Sequence, residues 1–267
     1  GFSCGRPHLV YALAPAPTII PAWGHVTAGT QHRAVEYLFA DPIALPRYER
    51  QHYSERVIDL PCVVAYRPPA GVPTIRPTTR RPFRYGCFHR FQKVTDRTLR
   101  AWAEILHRVP RAELVIKSWD FERAHDLPRL LDAFGPAARR VRIDSPTHWT
   151  EHLNDMNEID VQLDTMPFTG GVVTMEALLM GVPTVTRTGR FVTSRCGTSI
   201  LTAVGLADWC TDSDAAYVER AVRAADELLE PRASYRARLR DSPICRIPDY
   251  IAAVEQRYQE IAAAAMR

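Results

Sequence analysis

Two glycines followed at once by an apolar helical pattern are the first residues in this chain with an evident chemical use. They lie in DVQLDTMPFTGGVVTMEALLMGVPTVTRT, residues 160–188, which reads as a buried strand, a loop, a short helix, a Gly-Val-Pro break and a second strand. Val161 and Leu163 carry the strand pattern, and Met166 to Gly171 is rich in turn residues. Val172, Met175, Ala177, Leu178 and Leu179 then recur at helical spacing up to Gly181 and Pro183. The first N–H groups of such a helix lack intrahelical partners and carry the positive end of its dipole, so a phosphate is stabilised there. Gly170 and Gly171 permit positive φ and close approach of a ligand to the backbone. Glu176, one turn in, has the chemistry to accept hydrogen bonds from a ribose diol, as acidic residues of dinucleotide folds do. Taken alone, the loop also fits an ordinary α/β crossover with a tight turn, because Gly-Gly before a helix is common.

The elements that must position these groups follow from the rest of the chain. Residues 1–70 alternate extended and loop-like pieces, with short strands expected at 18–22, 37–39 and 57–60. The stretch RPPAGVPTIRPTTRRP, residues 67–82, is dense in proline and arginine without periodicity and reads as a linker. Beyond it strands are expected at 83–88, 114–117 and 140–143, alternating with helices at 95–108, 127–134 and 150–156, Thr95 serving as an N-cap. Helices are expected at 194–204, 215–229, 232–239 and 249–264. Repeated βα alternation implies an α/β fold with a parallel, doubly wound sheet. Ligands of such sheets bind beyond the C-terminal ends of the strands, where the loops 88–93 and 164–171 both reach one crevice.

Composition narrows the class. At 267 residues and 46% hydrophobic content the chain has ample material for a core. Its formal charge of +4 is too small to argue for nucleic acid as the partner. The apolar start is interrupted by Pro15, Pro17 and Pro21, too broken for a membrane helix or a secretory signal. The six cysteines contain no C-x-x-C pair, so they read as free thiols of a reducing, cytoplasmic compartment. Asp212-Ser213-Asp214 has the look of a D-x-D metal motif, but it sits just ahead of a helical pattern, where Ser and Asp serve as cap and dipole partner. No histidines have metal-ligand spacing, and no metal is assigned. The sequence does not open on methionine, which leaves room for further residues upstream.

Several longer stretches in register carry a resemblance. YGCFHRFQKVTDRTLRAWAEILHRVPRAELVIKS, IDVQLDTMPFTGGVVTMEALLMGVPTVTRTGRFVTSRCGTSILTAVGL and LRDSPIC, with GRPHLVYALAPAPTIIPAWGHVTAGT and DPIALPRYERQHYSERVIDLP ahead of them, resemble the catalytic region of the protein O-GlcNAc transferase and SPINDLY family, its bacterial members above all. The resemblance implies a glycosyltransferase-B fold of two Rossmann-like domains. Residues 1–71 would be the C-terminal part of the first, and 72–267 the complete nucleotide-sugar-binding domain with a last helix that braces the first.

It further implies that Lys93 meets the diphosphate, that Arg90 is a second donor near it, and that Glu176 holds the ribose. His152 would lie against the base, with Trp149 sharing the stacking. Gly170, Gly171, Val172, Val173 and Thr174 would form the phosphate loop. Gly24 and His25 would lie under the donor sugar, His25 contacting the sugar or the incoming hydroxyl. Family members commonly carry hydroxyl side chains where this chain has Gly171-Val172-Val173, so the backbone donors survive there and the side-chain hydroxyls do not. A family histidine from the first half of the first domain has no counterpart in these residues. The implied reaction is inverting, metal-independent transfer of GlcNAc from UDP-GlcNAc to protein Ser or Thr, with no cofactor beyond the donor and no nucleic-acid or membrane partner. GDP-fucose as donor, asparagine glucosylation, and a nucleotide-sugar-binding module without turnover remain open alternatives.

Overall fold

Short runs of aromatic and branched residues near the start of the chain pair in parallel. Strand β1 (Tyr37–Ala40) lies beside β2 (Arg56–Asp59), with Leu38 opposite Val57, and Ile19 bridges Val35 in the same sense. A short helix, α1 (Pro7–Ala12), precedes them where extended chain was expected; proline at a first helical turn loses nothing, because that N–H has no partner in any case. The computed structural model describes residues 7–21, 29–62, 64–77, 82–227 and 229–265.

From residue 84 strand and helix alternate: β3 (Arg84–Cys87), α2 (Asp96–Arg108), β4 (Glu113–Lys117), α3 (Arg123–Phe134), β5 (Val141–Asp144), α4 (Trp149–Asp155), β6 (Val161–Leu163), α5 (Val172–Leu179), β7 (Thr184–Arg187), α6 (Cys196–Ala203) and β8 (Cys210–Thr211). Three helices follow, α7 (Asp214–Asp226), α8 (Arg232–Asp241) and α9 (Ile247–Ala265). The strands form one sheet in the order β5-β4-β3-β6-β7-β8, every pair parallel. The chain winds from β3 out to one edge, then returns to β6 and winds to the other. The direction therefore reverses between β3 and β6, which are hydrogen-bonded neighbours, and it is beyond the C-terminal ends of such a pair that sheets of this kind hold their ligands.

The sheet is buried on both faces. On β4, Leu114 and Ile116 join the large apolar cluster with Leu99, Trp102, Leu130 and Tyr217, whereas Val115 joins Phe88, Leu153, Met156 and Met180 on the other side. Helix α2 begins as expected, with the Thr95 hydroxyl accepting the Thr98 N–H, and packs on α3 and α7. Helix α5 stops at Leu179, and Gly181 just beyond it has a φ of +73°, the left-handed conformation that suits glycine after a helix. The β1–β2 segment is tied to the main sheet's helices by Ser199 Oγ to Asp41 at 2.5 Å, Arg195 Nε to the Ile43 carbonyl at 2.7 Å, and Tyr258 of α9 against Phe39 at 5.5 Å between centroids. Among the described residues no helix is long and apolar enough to cross a membrane.

Candidate functional site

The loop after β6 is organised by a carboxylate. Asp164 is completely buried. Its Oδ1 accepts the N–H groups of Thr165 at 2.8 Å and Gly170 at 2.7 Å, and its Oδ2 accepts the Thr186 hydroxyl at 2.6 Å. Its backbone carbonyl accepts the hydroxyl of Tyr217, which itself accepts the Trp102 indole N–H at 3.0 Å. The same loop is held from α2: the Thr95 and Thr98 hydroxyls both donate to the Met166 carbonyl. A loop pinned from three elements presents a fixed backbone to a ligand.

The two glycines act by absence of bulk. Gly171 has φ −129°, and neither it nor Gly170 adopts the positive φ that glycine would permit. A Cβ on Gly170 would collide with Thr174 Oγ1 and fall 2.6 Å from His89 Cε1, so only glycine fits between the loop and the strand β3 side. The first ladder bond of α5 runs from the Met175 N–H to the Gly171 carbonyl at 3.3 Å. The N–H groups of Val172 and Val173 therefore precede the ladder and take no part in it. The Thr174 hydroxyl is buried without a hydrogen-bond partner and faces the loop from within.

Lys93, on the turn after β3, reaches this helix start. Its Nζ donates to the Thr169 carbonyl at 3.2 Å and lies 4.1 Å from the centre of the Phe168 ring. Burial lowers the Lys93 pKa below that of a free lysine, and the nearby Asp164 carboxylate opposes that shift. The turn itself is anchored by Asp120, whose Oδ1 accepts the Phe91 N–H at 2.6 Å. The Arg90 guanidinium lies over Trp119, 4.7 Å from the ring centre, and its charge adds to the lowering of the Lys93 pKa.

His89 is the residue that spacing alone does not single out. It is buried beside Asp164, with Nε2 3.3 Å from Oδ1 in a geometry that makes no hydrogen bond. Burial pushes its imidazole down to about 3, with Lys93 and His152 as lesser causes, so it is neutral at ordinary pH. Burial likewise pushes Asp164 up to about 6, against the pull of Thr186, Thr165, Lys93 and Gly170. The signal available in the sequence was an aspartate just after a short buried strand, Asp164, and a histidine just after the neighbouring one, His89.

On the other flank, Glu176 and His152 face each other, Oε2 to Nε2 at 3.5 Å and both partly exposed. The His152 ring meets Phe88 edge-on at 5.5 Å. Trp149, at the start of α4, is exposed beside His148. The structure thus brings Lys93, Gly170 to Thr174, Glu176 and His152 to one crevice, while Arg90 is turned toward Trp119. Gly24 and His25 lie outside the described residues. Ser213 caps α7, accepting the Ala216 N–H at 3.2 Å, and Asp214 pairs with Arg97 and Arg187, so this segment takes the capping role. A cation, free helix N–H groups and, about a turn away, a carboxylate beside an imidazole suit a diphosphate continued by a ribose and a base.

The chain is similar to known proteins along most of its length. Residues 81–260 match the model of glycosyl transferase family 41. The chain is 30% identical over 261 residues to the probable UDP-N-acetylglucosamine–peptide N-acetylglucosaminyltransferase SPINDLY of Arabidopsis thaliana, covering 94% of this chain and 28% of that protein. The protein of the same description from Oryza sativa subsp. japonica is 30% identical over 262 residues, with the same coverage. Among solved structures, a variant of the Thermobaculum terrenum O-GlcNAc transferase superposes with a TM-score of 0.85 at 30% identity, covering 95% of this chain and 50% of that one. The chain therefore spans 28% of the length of these curated relatives.

Proposed function

The chain belongs to glycosyl transferase family 41, and from that premise we propose that it supplies the nucleotide-sugar site of a protein glycosyltransferase. Its fold is α/β of the glycosyltransferase-B type. Residues 1–71 are read as the C-terminal part of a first Rossmann-like domain, and 72–267 as the nucleotide-sugar-binding domain. The donor is UDP-GlcNAc, the acceptor a Ser or Thr hydroxyl of a protein. The observation that carries this reading is the meeting of Lys93 with the loop that leads into α5, at the point where the strand order reverses.

In the proposed reaction the acceptor oxygen attacks the anomeric carbon from the face opposite the diphosphate. The bond from that carbon to the β-phosphate oxygen breaks, its electron pair leaves with UDP, the acceptor hydroxyl gives up its proton to water, and the configuration inverts. Charge grows on the departing phosphate, where the Lys93 ammonium and the N–H groups of Val172 and Val173 would stabilise it. This gives Lys93 and the helix start the role that a divalent cation plays in other transferases. Glu176 would accept from the ribose hydroxyls, and His152 and Trp149 would flank the base. His25 keeps the role that the resemblance implies, near the sugar or the incoming hydroxyl.

A second reading, a nucleotide-sugar-binding module without turnover, is favoured by one observation: Val172 and Val173 line the helix start with carbon. Calorimetry with UDP, GDP and their sugars, followed by donor hydrolysis and transfer assays, separates the readings. UDP-selective binding with turnover supports the transferase, binding without turnover supports the module, and no nucleotide affinity overturns both.

A further inference from the structure

Lys117 is the last residue of β4 and is 3% exposed. Its ammonium donates to the Asp155 carboxylate and to the Thr147 hydroxyl, and Thr147 Oγ1 also lies 3.3 Å from Asp155 Oδ2 as a donor. Asp155 is the last residue of α4, and Thr147 lies two residues ahead of its start. One buried cation thus ties both ends of that helix to the sheet.

Helix α4 has little else to fix it. It is seven residues long, its N-cap His148 makes no side-chain capping bond, and Leu153 is its one buried residue. A helix this short does not hold its shape without tertiary anchors. Yet α4 carries the groups that face Glu176 across the crevice: His152, packed edge-on to Phe88, and Trp149 one turn earlier. The diphosphate end has separate supports, because Asp164, Thr95, Thr98 and Tyr217 pin the loop after β6 by hydrogen bonds in which α4 takes no part.

We propose that Lys117 is a positioning residue that sets the pose of α4 through Asp155 and Thr147, and so governs recognition of the nucleoside part of the ligand while leaving the diphosphate part unaffected. This rests on the reading of the crevice as a nucleotide-sugar site. Removing the ammonium leaves Asp155 half-buried without its cation and frees both ends of α4, so the wall that meets base and ribose moves.

The test compares the whole chain with Lys117→Met, Lys117→Arg and Asp155→Asn, titrated with UDP, GDP and inorganic pyrophosphate and assayed for donor hydrolysis. In Lys117→Met, affinity for the preferred nucleotide falls about tenfold while pyrophosphate affinity stays within about twofold, and KM for the donor rises with kcat held. Lys117→Arg keeps most of the nucleotide affinity, and Asp155→Asn falls between. Equal weakening toward nucleotide and pyrophosphate, or nucleotide affinity unchanged in a folded variant, overturns the proposal. Should Lys117→Met not fold, the contrast between nucleotide and pyrophosphate in Asp155→Asn decides it. A wild-type chain that binds no nucleotide overturns the function reading first, and the two failures are thereby distinguished.

Discussion

Oδ1 of Asp164 accepts the N–H of Gly170 at 2.7 Å, closing the loop between β6 and α5 back onto the end of its own strand. With Thr165 on the same oxygen and Thr186 on the other, a single carboxylate takes three donors that a neutral side chain of the same shape does not satisfy. Asp164→Asn presents an N–H₂ where an acceptor is needed and leaves at least one buried donor unpaired. The expected loss is about 1–3 kcal/mol of unfolding free energy, with weaker UDP binding as the loop loosens. Denaturant unfolding and calorimetry measure the two effects. A variant unchanged in both shows that the loop is held by its other ties alone.

Lys93 donates to the Thr169 carbonyl in the loop that leads into α5, where the proposed reaction would put the departing phosphate. Lys93→Met keeps the length and removes the charge. Turnover is expected to fall about 100-fold or more, because the ammonium matters most as charge develops in the transition state. UDP affinity falls by less, about tenfold, through loss of one charge-assisted contact. Steady-state kinetics and UDP titration of the same preparation give both numbers. Unchanged affinity together with unchanged rate removes Lys93 from the phosphate site.

Much of this was legible from the chain. Period-2 and helical spacing place most strands and helices of the main sheet to within a few residues, since each packs on a two-sided apolar core. Strand β8 escaped because two residues carry no period. Helix α3 begins at Arg123, ahead of the expected 127, because the backbone turn at Glu122 starts it before Pro128. In the site, Lys93, Gly170 and Glu176 stand out by residue type at loop or helix-start positions. Asp164 and His89 do not, because what sets them apart is mutual burial across two strands far apart in sequence, and no local pattern encodes that. Lys117 reads as the polar end of a strand until its partners on α4 are seen.

The His89 imidazole gives the fold a dependence on acid. Its pKa falls from 6.5 to about 3 on folding because it is buried. As pH drops below 6.5 the unfolded chain takes up a proton that the folded chain refuses, so this contribution to stability is present above that value and is lost between 6.5 and 3. Asp164 runs the other way: raised to about 6, its contribution falls as pH rises through that range, but it is present in both proteins compared and cancels. His89→Asn should therefore lose less stability than the wild type between pH 7 and pH 5, by about 2 kcal/mol. Urea unfolding at the two pH values checks this. Parallel losses in the two proteins rule out a neutral buried His89 as the cause.

Val172 and Val173 open α5 with methyl groups where a hydroxyl could join the backbone donors at an anion, and Val172 is 43% exposed. Threonine is nearly isosteric with valine and close to it in helix propensity, so Val172→Thr changes chemistry with little change in packing. If a diphosphate sits at this helix start, the new hydroxyl donates to it, a hydrogen bond to a charged acceptor. UDP and pyrophosphate affinities should then rise together by about tenfold, with the unfolding midpoint unmoved. Val173, partly buried against the Phe88 cluster, should give a smaller gain because its hydroxyl must leave apolar neighbours to reach the ligand. If the threonine variant also turns over donor faster, the valines limit a catalytic site. If it binds more tightly with no gain in turnover, the helix start serves binding alone, and the module without turnover becomes the better account. No gain in affinity for either ligand means that the anion does not sit at α5.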